Sequence, residues 1–220
     1  MIEALLPADA RVVEAFADSP GEGPYPGEED LVARAVDRRR HEFVTARRCA
    51  RQALAQLGYA PAPIRSGPRR EPLWPPGVVG SITHCVGYRA AAVAPAGAVA
   101  GLGIDAEPHE QLPDGVADAV TTPGEPERLA ALRAADPATH WDRLLFSAKE
   151  SVYKAWYPLT GRWLGFEDAE LTFDPAGRFT ARILVDGTRA DGGPALRTLD
   201  GRWLVAGGLV LTAVAVFSRP

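Results

Sequence analysis

The stretch RAAAVAPAGAVAGLGIDAE, residues 89–107, lies near the centre of a 220-residue chain and decides how the residues on either side of it are interpreted. Two runs of small apolar residues flank Pro95 and Gly97, and turn residues between apolar runs are typical of a hairpin. The second run ends in the acidic residues Asp105 and Glu107. The sequence therefore predicts two strands joined near Pro95–Gly97, with two carboxylates at the end of the second strand.

A helix is predicted on each side of this stretch. Upstream, residues 28–59 carry apolar side chains at three- and four-residue steps, which is the spacing of one helix face, and Gly58 is a suitable C-cap. Downstream, SAKESVYKAWY, residues 147–157, is predicted to form a helix that Pro158 stops. Pro137 breaks the segment before it, and a second helical segment is expected to begin there.

The C-terminal part of the chain alternates between apolar and polar residues and is rich in β-branched ones. AELTFDP, RFTARILVD and RWLVAGGLVLTAVAVF, which begin at residues 169, 178 and 202, predict three antiparallel strands. Because helices precede strands in each half, the expected class is α+β. We place an N-terminal half at residues 1–102 and a C-terminal half at residues 103–220.

Composition argues against several classes of protein. The net charge of −4 argues against a general nucleic-acid binder. Cys49 and Cys85 form no CxxC pattern, which suits a reducing cytoplasm. The N-terminus lacks the basic region of a signal peptide, and the longest apolar runs are too interrupted to span a membrane. The expected protein is cytoplasmic and binds neither nucleic acid nor membrane.

Asp105 and Glu107 form a candidate metal site. Residues two apart on a strand point to the same side, so both carboxylates would meet at one place. Mg²⁺ takes oxygen ligands and often completes its shell with substrate phosphates. The alternative is a polar strand edge that faces solvent, and the DxE pattern alone does not choose between the two.

The helix at 147–157 contains both lysines of the chain, whereas the other twenty-two basic side chains are arginine. Glu150 could serve as a third metal ligand or as a base, and Lys154 could neutralise a leaving phosphate. The alternative is a capping box, in which Glu150 binds the backbone of Ser147, together with an ion pair from Glu150 to Lys154. A lysine differs from an arginine in being a compact point charge, which favours a specific role for Lys149 and Lys154.

Two further stretches offer contacts for phosphate groups. The helix around Phe43 is dense in arginine, which can bind phosphates in bidentate fashion or simply form a solvated face. In GSITHC, residues 80–85, a turn could present Ser81, Thr83 and His84 to a phosphate, although a lone histidine there is commonly a core residue. The sequence contains no GxSxG elbow, P-loop, GxGxxG motif or zinc-ligand spacing.

GSITHCVGYRAAAVA, GLGIDAEPHE and FSAKESVYKAWYPLTGRWLGFEDAELTF, which begin at residues 80, 101 and 146, together resemble the 4′-phosphopantetheinyl transferases of the larger Sfp/EntD type. The similarity extends over roughly residues 30–217, and the ID-x-E motif followed by SAKES-x-YKAW is specific in combination. The resemblance implies two similar α+β halves with antiparallel strands, and an active site in the cleft between them.

The resemblance also implies the reaction and its participants. The 4′-phosphopantetheine group of coenzyme A would pass to a serine of an apo acyl or peptidyl carrier protein, leaving adenosine 3′,5′-bisphosphate. Mg²⁺, or Mn²⁺ in its place, would be the metal cofactor. The carriers expected are those of fatty-acid, polyketide or nonribosomal peptide synthesis, and a monomer is expected.

Catalytic roles carry over by motif. Asp105, Glu107 and Glu150 would hold the metal on the pyrophosphate, Glu150 would deprotonate the carrier serine, and Lys154 would balance charge on the leaving phosphate. The residues that would contact coenzyme A or the carrier are Arg39, Arg47 and His84 for the adenosine-side phosphates, Lys149 there or on the pyrophosphate, and Tyr153, Trp163 and Leu164 along the pantetheine and carrier groove. A lysine that follows the PAPI segment in similar proteins is absent here, and Arg65 or Arg69 would replace it.

The sequence is also compatible with two other functions. A Mg²⁺-dependent phosphodiesterase or nuclease would use the same carboxylates without an acceptor protein. A non-enzymatic nucleotide- or carrier-binding module would need Glu150 only as a helix cap.

Overall fold

The computed structural model describes residues 1–218 as an α+β protein, which confirms the predicted class. The helices are α1 Asp37–Gln56, α2 Val116–Val120, α3 Glu125–Ala135 and α4 Trp141–Thr160. The strands are β1 Arg11–Ala15, β2 Val78–Cys85, β3 Tyr88–Pro95, β4 Val99–Pro108, β5 Ala169–Asp174, β6 Arg178–Ile183, β7 Thr198–Ala206 and β8 Leu209–Phe217. Within residues 1–218, none of the helices combines the length and the hydropathy that crossing a membrane requires.

The strands form two antiparallel sheets of related topology. The N-terminal half runs β1, α1, β2, β3 and has the sheet order β1-β3-β2. The C-terminal half begins with β4 and α4, ends with the hairpin β7–β8, and has the order β4-β8-β7-β6-β5. In each half the last strand lies between the first strand and the one before it, and β5–β6 is an added hairpin. The expectation of two similar α+β halves is therefore confirmed.

Two strand predictions need correction. β3 and β4 are not a hairpin, because β3 pairs with β1 and β2 whereas β4 pairs with β8. The hairpin partner of β3 is β2, across a turn at Val86 and Gly87. The predicted third C-terminal strand is two strands, since Gly207 and Gly208 both have positive φ angles and reverse the chain between β7 and β8.

The change of sheet locates the junction between the halves. It occurs at residues 96–98, between β3 and β4, so a division at residue 102 falls inside β4. The reason is that the turn near Pro95 carries the chain from one sheet to the other instead of back along the same sheet. As separate folding units, residues 1–102 and 103–220 stay a prediction.

β3 is the central strand of the N-terminal sheet and is buried on both faces. Ala90, Ala92 and Ala94 pack with strands of the C-terminal sheet, whereas Ala91 and Val93 pack beneath α1. Alternate residues of a strand point to opposite faces, so small side chains on both sides let the two layers approach closely. The apolar contacts between the sheets therefore join the two halves into one body.

Strands β2 and β4 lie side by side where the two sheets meet. The Ser81 hydroxyl accepts a hydrogen bond from the backbone N–H of Ile104 at 3.0 Å. The Thr83 hydroxyl accepts one from the N–H of Ala106, also at 3.0 Å. Two hydroxyl side chains on β2 therefore accept hydrogen bonds from β4 amides, a role that the backbone carbonyl oxygens of a paired strand would otherwise fill.

Helix α4 lies directly against β4 because two glycines leave room for it. A Cβ atom on Gly103 would come within 1.9 Å of the Ser151 carbonyl oxygen, and one on Gly101 would meet Leu159 at 2.7 Å. Asp105 shares their side of the strand, since it lies two residues beyond Gly103. The close approach therefore sets Asp105 under the middle of α4.

The bounds of α4 correct the predicted helix. It begins at Trp141, six residues before Ser147, and it continues past Pro158 to Thr160. Ser147 is therefore an interior helix residue, and its hydroxyl pairs with that of Thr212 at 3.0 Å. The capping-box alternative is wrong, because a residue inside the helix has no free N-terminal N–H to cap.

Candidate active site between the halves

A cavity of about 220 Å³ opens between α1, β2 and the 69–74 loop on one side and α4 on the other. Most of the predicted site residues border it, and residues of both halves contribute. The lining residues are Arg39, Ala46, Arg47, Arg69, Arg70, Glu71, Pro72, Trp74, Gly80, Ser81, Ile82, His84, Glu150, Tyr153, Lys154, Tyr157 and Pro158. A larger depression of about 920 Å³ on the outer face of the C-terminal sheet contains none of the predicted site residues.

Lys154 and Asp105 form an ion pair on the α4 side of β4. The ammonium Nζ donates to Asp105 Oδ1 at 2.6 Å and to the Ile104 carbonyl oxygen at 3.1 Å. Lys154 therefore bonds to Asp105, and not to Glu150 as the ion-pair alternative required. Asp105 is 5% exposed, and its Oδ2 is buried without a hydrogen-bond donor.

Glu107 faces the same side of β4 and meets Arg143 from the first turn of α4. The Arg143 Nη1 donates to Glu107 Oε2 at 3.1 Å, while its other nitrogens bind the backbone oxygens of Glu110 and Gln111. Burial, followed by the neighbouring charge of Asp105, raises the pKa of Glu107 to about 7. Arg143 and Lys154 oppose this rise in pKa but do not cancel it.

Glu150 is half-buried on the cavity side of α4, one turn before Lys154. Burial raises its pKa, Asp105 raises it further, and Lys154 opposes that change. Within residues 1–218, no hydrogen bond to its carboxylate is present. Its oxygens are therefore free to contact a ligand or to take a proton.

Two of the acidic residues have features that suit a divalent cation. The part of the chain that the structure describes contains no group of three His, Cys, Asp or Glu side chains close enough together to hold a metal. Asp105 and Glu107 nevertheless fit a cation, because one carboxylate has a buried oxygen without a donor and the other has a raised pKa. Both supply the oxygen ligands that Mg²⁺ takes. The three-carboxylate site with Glu150 stays a prediction.

His84 and Arg39 form the basic wall of the cavity on the N-terminal side. Arg39 Nη1 contacts both ring nitrogens of His84, and Glu42 Oε2 lies 3.4 Å from His84 Nδ1. Burial and the Arg39 charge lower the pKa of His84 to about 4. The imidazole is therefore neutral at pH 7 without ligand, and Arg39 supplies the positive charge of this wall.

Arg47 borders the same cavity but is partly committed to the protein. Its Nε donates to the Ile64 carbonyl oxygen at 2.9 Å and its Nη2 to the Ser66 hydroxyl at 2.8 Å. Its guanidinium lies 3.6 Å from the centre of the Phe43 ring. Burial lowers its pKa to about 10, so it is still charged at pH 7. Arg47 both holds the 64–66 loop and lends charge to the cavity.

Arg65 and Arg69, the two predicted replacements for the lysine that similar proteins carry after the PAPI segment, lie in different places. Arg65 binds both oxygens of Asp30, at 2.6 and 2.7 Å, and does not border the cavity. Arg69 and Arg70 do border it, and Arg70 has a φ of +67° in a tight turn closed by a bridge from Ser66 to Pro72. The backbone thus projects Arg69 and Arg70 into the cavity.

Tyr153 and Trp163 form an aromatic edge next to Glu150. Their ring centres are 5.0 Å apart, and the Arg69 guanidinium lies 5.8 Å from the Trp163 ring. Trp163 is 61% exposed, and the Tyr153 hydroxyl is buried without a partner. Leu164 packs in the core beneath α4 and is buried, and its predicted place along the groove stays a prediction.

Three of the residues predicted to contact coenzyme A have hydrogen-bond partners within the protein. Lys149 is 3% exposed, and its Nζ donates at 2.8 Å to Glu125 and to the Phe166 carbonyl oxygen, away from the cavity. The Ser81 and Thr83 hydroxyls are occupied by β4, although Ser81 still borders the cavity. Lys149 and Thr83 are buried and do not line the cavity, whereas Ser81 does, and the predicted phosphate contacts of all three stay predictions.

Two residues of the site were not predicted. Arg143 precedes Glu150 by seven residues and Lys154 by eleven, a spacing that places all three on one helix face. This spacing could have predicted that Arg143 lies near the acidic residues. Arg70 carried no comparable signal, because its direction depends on the tight turn of residues 66–72.

Comparison with known proteins gives consistent matches along the chain. Residues 27–94 match the family model described as 4′-phosphopantetheinyl transferase N-terminal domain, and residues 101–200 match the model described as 4′-phosphopantetheinyl transferase superfamily. The 4′-phosphopantetheinyl transferase Svp of Streptomyces mobaraensis is 57% identical over 220 residues, which cover 98% of this chain and 89% of Svp. The 4′-phosphopantetheinyl transferase PptT of Mycobacterium tuberculosis is 53% identical over 225 residues, or 98% of each chain. Enterobactin synthase component D of Salmonella typhi is 30% identical over 192 residues, which cover 86% of this chain and 77% of that protein.

Proposed function

Because the chain belongs to the 4′-phosphopantetheinyl transferase superfamily and transfers 4′-phosphopantetheine from coenzyme A to carrier proteins, we propose that the cavity between its halves is the active site of this transfer. The observation that carries the proposal is the pairing of a basic wall with an acidic wall across one cavity. Arg39 and His84 form the first, and Glu150 lies on the second. Asp105 and Glu107 do not line the cavity themselves but lie behind this wall on β4, where Asp105 pairs with the lining residue Lys154. The phosphodiesterase and the non-enzymatic binding module are thereby set aside.

The reaction joins the hydroxyl oxygen of a carrier serine to the β-phosphorus of coenzyme A. The bond between that phosphorus and the bridging oxygen breaks, and the oxygen leaves with its electron pair on adenosine 3′,5′-bisphosphate. The serine proton must go to a base. Such transfers depend chiefly on positioning and on charge stabilisation, which suits a site without a covalent nucleophile.

Glu150 is the proposed base, directly or through one water. It borders the cavity, its carboxylate has no other partner within residues 1–218, and its raised pKa increases its proton affinity. A base whose pKa lies nearer to the working pH accepts a proton more readily. The same burial that raises the pKa also keeps solvent from competing for the serine.

Asp105, Glu107 and Glu150 are the proposed holders of Mg²⁺, with Mn²⁺ as a substitute. The bound ion would neutralise charge on the pyrophosphate oxygens. The protein's own part is to keep the Asp105 and Glu107 carboxylates on one side of β4, under α4. Arg143 and Lys154 hold those carboxylates at 3.1 and 2.6 Å.

Lys154 is proposed to face the leaving phosphate. Its side chain borders the cavity while its ammonium pairs with Asp105, so its charge would be shared between Asp105 and a substrate oxygen. On the opposite wall, Arg39, Arg47 and His84 are proposed to contact the adenosine-side phosphates. Arg69 and Arg70 border the same space and are proposed to replace the lysine of similar proteins.

Carrier domains of fatty-acid, polyketide or nonribosomal peptide synthases are the proposed acceptors. The exposed Trp163 and its neighbour Tyr153 are proposed to contact the pantetheine arm or the carrier at the cavity mouth. We further propose that the chain acts as a monomer in the cytoplasm.

Intact-protein mass spectrometry of an apo carrier domain tests the proposed site. The chain, coenzyme A and the carrier are mixed with Mg²⁺, with Mn²⁺ or with excess EDTA. We expect the carrier to gain one phosphopantetheine with either metal and none with EDTA. Equal gain in EDTA would overturn the metal part of the proposal, and full gain with Asp105→Ala would overturn the location of the site.

A further inference from the structure

The hydroxyl of Thr83 is confined to two partners on β4. Thr83 is 2% exposed, and its Oγ1 lies 3.0 Å from the backbone nitrogen of Ala106 and 3.2 Å from Asp105 Oδ1. The amide can only donate, so the hydroxyl accepts from Ala106. Its own hydrogen is then available for the Asp105 carboxylate. An ionised carboxylate can only accept, so Thr83 donates to Asp105 Oδ1.

Asp105 Oδ1 therefore receives two donors from two different elements. Lys154 on α4 supplies one at 2.6 Å, and Thr83 on β2 supplies the other. Two fixed donors on one oxygen determine the plane of the carboxylate. They leave Oδ2, which is buried and has no donor, as the oxygen available to a cation.

The donor on β2 comes from the other half of the protein. β2 belongs to the N-terminal sheet and β4 to the C-terminal sheet, and at this seam Ser81 and Thr83 bind backbone amides of β4. Of the two hydroxyls, only that of Thr83 also binds a carboxylate, that of Asp105. The χ1 angle of a β-branched residue is stiff, which keeps the hydroxyl in place.

We propose that Thr83 is a positioning residue, which fixes from the N-terminal half the Asp105 carboxylate that the C-terminal half offers to the metal. Thr83 touches neither coenzyme A nor the reacting phosphorus in this account. It acts through Asp105, so its loss would weaken metal binding more than coenzyme binding. The inference rests on the proposed role of Asp105 as a metal ligand.

The test compares Thr83→Val and Thr83→Ser with the matched control Ser81→Ala. Each of Thr83→Val and Ser81→Ala removes the acceptor of one buried β4 amide, so both are expected to lower the thermal midpoint of the metal-free protein. Only Thr83→Val also removes a donor to a carboxylate. Thr83→Ser restores the hydroxyl. If Thr83→Val does not fold, Thr83→Ala takes its place.

Two readouts are needed. Binding of Mn²⁺ in the presence of coenzyme A, without carrier, is followed by the electron paramagnetic resonance signal of the free ion. The half-saturating Mg²⁺ concentration and the KM for coenzyme A are measured in the transfer reaction. Changes in groups that hold a metal ligand typically cost about 10- to 100-fold in metal affinity. We expect a loss of that order for Thr83→Val in both metal readouts, with little change in the KM for coenzyme A.

The expected results for the other variants complete the pattern. Thr83→Ser is expected to recover most of the metal affinity, and Ser81→Ala to keep it within about threefold of the unaltered protein. Equal loss in Ser81→Ala and Thr83→Val, or no recovery in Thr83→Ser, would overturn the inference. If Asp105→Ala binds Mn²⁺ normally, the proposed metal site itself is wrong. If Asp105→Ala fails but Thr83→Val binds normally, only the role of Thr83 is wrong.

Discussion

Lys154 on α4 and Asp105 on β4 are joined by a contact of 2.6 Å between Nζ and Oδ1, across forty-nine residues of sequence. Gly101 and Gly103 make this contact possible, because without side chains they let α4 pack directly against the backbone of β4. The same contact sets the catalytic helix over the acidic strand. Because Lys154 borders the cavity, the contact links the packing of α4 to the charge of the cavity.

Replacing Lys154 tests whether its charge serves the reaction. Lys154→Met keeps an unbranched side chain of similar length but leaves the Asp105 carboxylate without its ammonium partner. We expect transfer to fall by about 10²- to 10³-fold, the usual loss when a group that stabilises developing charge is removed. The single-turnover rate with excess enzyme, followed by carrier mass, measures this loss. A variant within about threefold of the unaltered rate would contradict the assignment.

Gly103→Ala tests the link between packing and the site. The added Cβ would lie 1.9 Å from the Ser151 carbonyl oxygen, so α4 must move away from β4. We expect the free energy of unfolding to fall by about 1–3 kcal/mol, as in other overpacked cores. We also expect a clear loss of transfer activity. Urea unfolding and the transfer rate check the two effects.

A matched glycine serves as the control for this change. A Cβ on Gly97 would meet no atom within 4 Å, and Gly97 has no positive φ. Gly97→Ala is therefore expected to leave stability and transfer close to those of the unaltered protein. Similar stability for Gly97→Ala and Gly103→Ala would show that the close approach of α4 is not required.

Lys149 is expected to matter for stability and not for transfer. Its ammonium lies in a buried pair with Glu125, which is 1% exposed, and removal of one partner of such a pair typically costs about 3–5 kcal/mol. Lys149→Met should therefore unfold at lower urea concentration. Its KM for coenzyme A, measured on folded protein, should stay within about threefold. A rise of tenfold or more would restore Lys149 as a phosphate ligand.

The low pKa of His84 predicts a particular dependence of stability on pH. The folded pKa of about 4 lies below the ordinary value of 6.5, so the unfolded chain binds the proton more tightly. The contribution of His84 to the free energy of unfolding is therefore fully present above pH 6.5 and is lost as the pH falls towards 4. One proton corresponds to at most about 1.4 kcal/mol per pH unit.

His84→Gln measures that contribution against the background of other groups. We expect the unaltered protein to lose more stability than His84→Gln between pH 6.5 and pH 4, as followed by urea unfolding at each pH. Parallel curves for the two proteins would mean that the imidazole is not held neutral by burial and by Arg39.

The sequence predicted the class of fold and several of the residues that border the cavity, because both depend on local patterns. Helix periodicity and strand alternation located α1, α4 and the outer strands, and the motifs around Asp105 and Glu150 identified the acidic wall. Strand pairing was not predictable in the same way. The turn near Pro95 indicates a chain reversal, but whether β4 pairs with β3 or with β8 depends on residues more than a hundred positions away.

For Lys149, the sequence could predict its burial but not its ion-pair partner. It precedes Val152 and Trp156 by three and seven residues, and both are buried, so it lies on the apolar face of α4. That spacing already favours a buried lysine. Its partner Glu125 lies twenty-four residues earlier and could not be inferred from spacing. Thr83 is similar, since its hydroxyl could be assigned to Asp105 only after β2 and β4 were seen side by side.

The central claim is that Glu150, at the acidic wall of the cavity, takes the proton of the carrier serine and helps to hold the metal. Glu150→Gln keeps the shape of the side chain and removes its charge and its basicity. Intact mass of an apo carrier after incubation with this variant, coenzyme A and Mg²⁺ is the most direct measurement. We predict that transfer falls by at least about 10²-fold while the thermal midpoint stays close to that of the unaltered protein. Turnover at the unaltered rate would contradict the account.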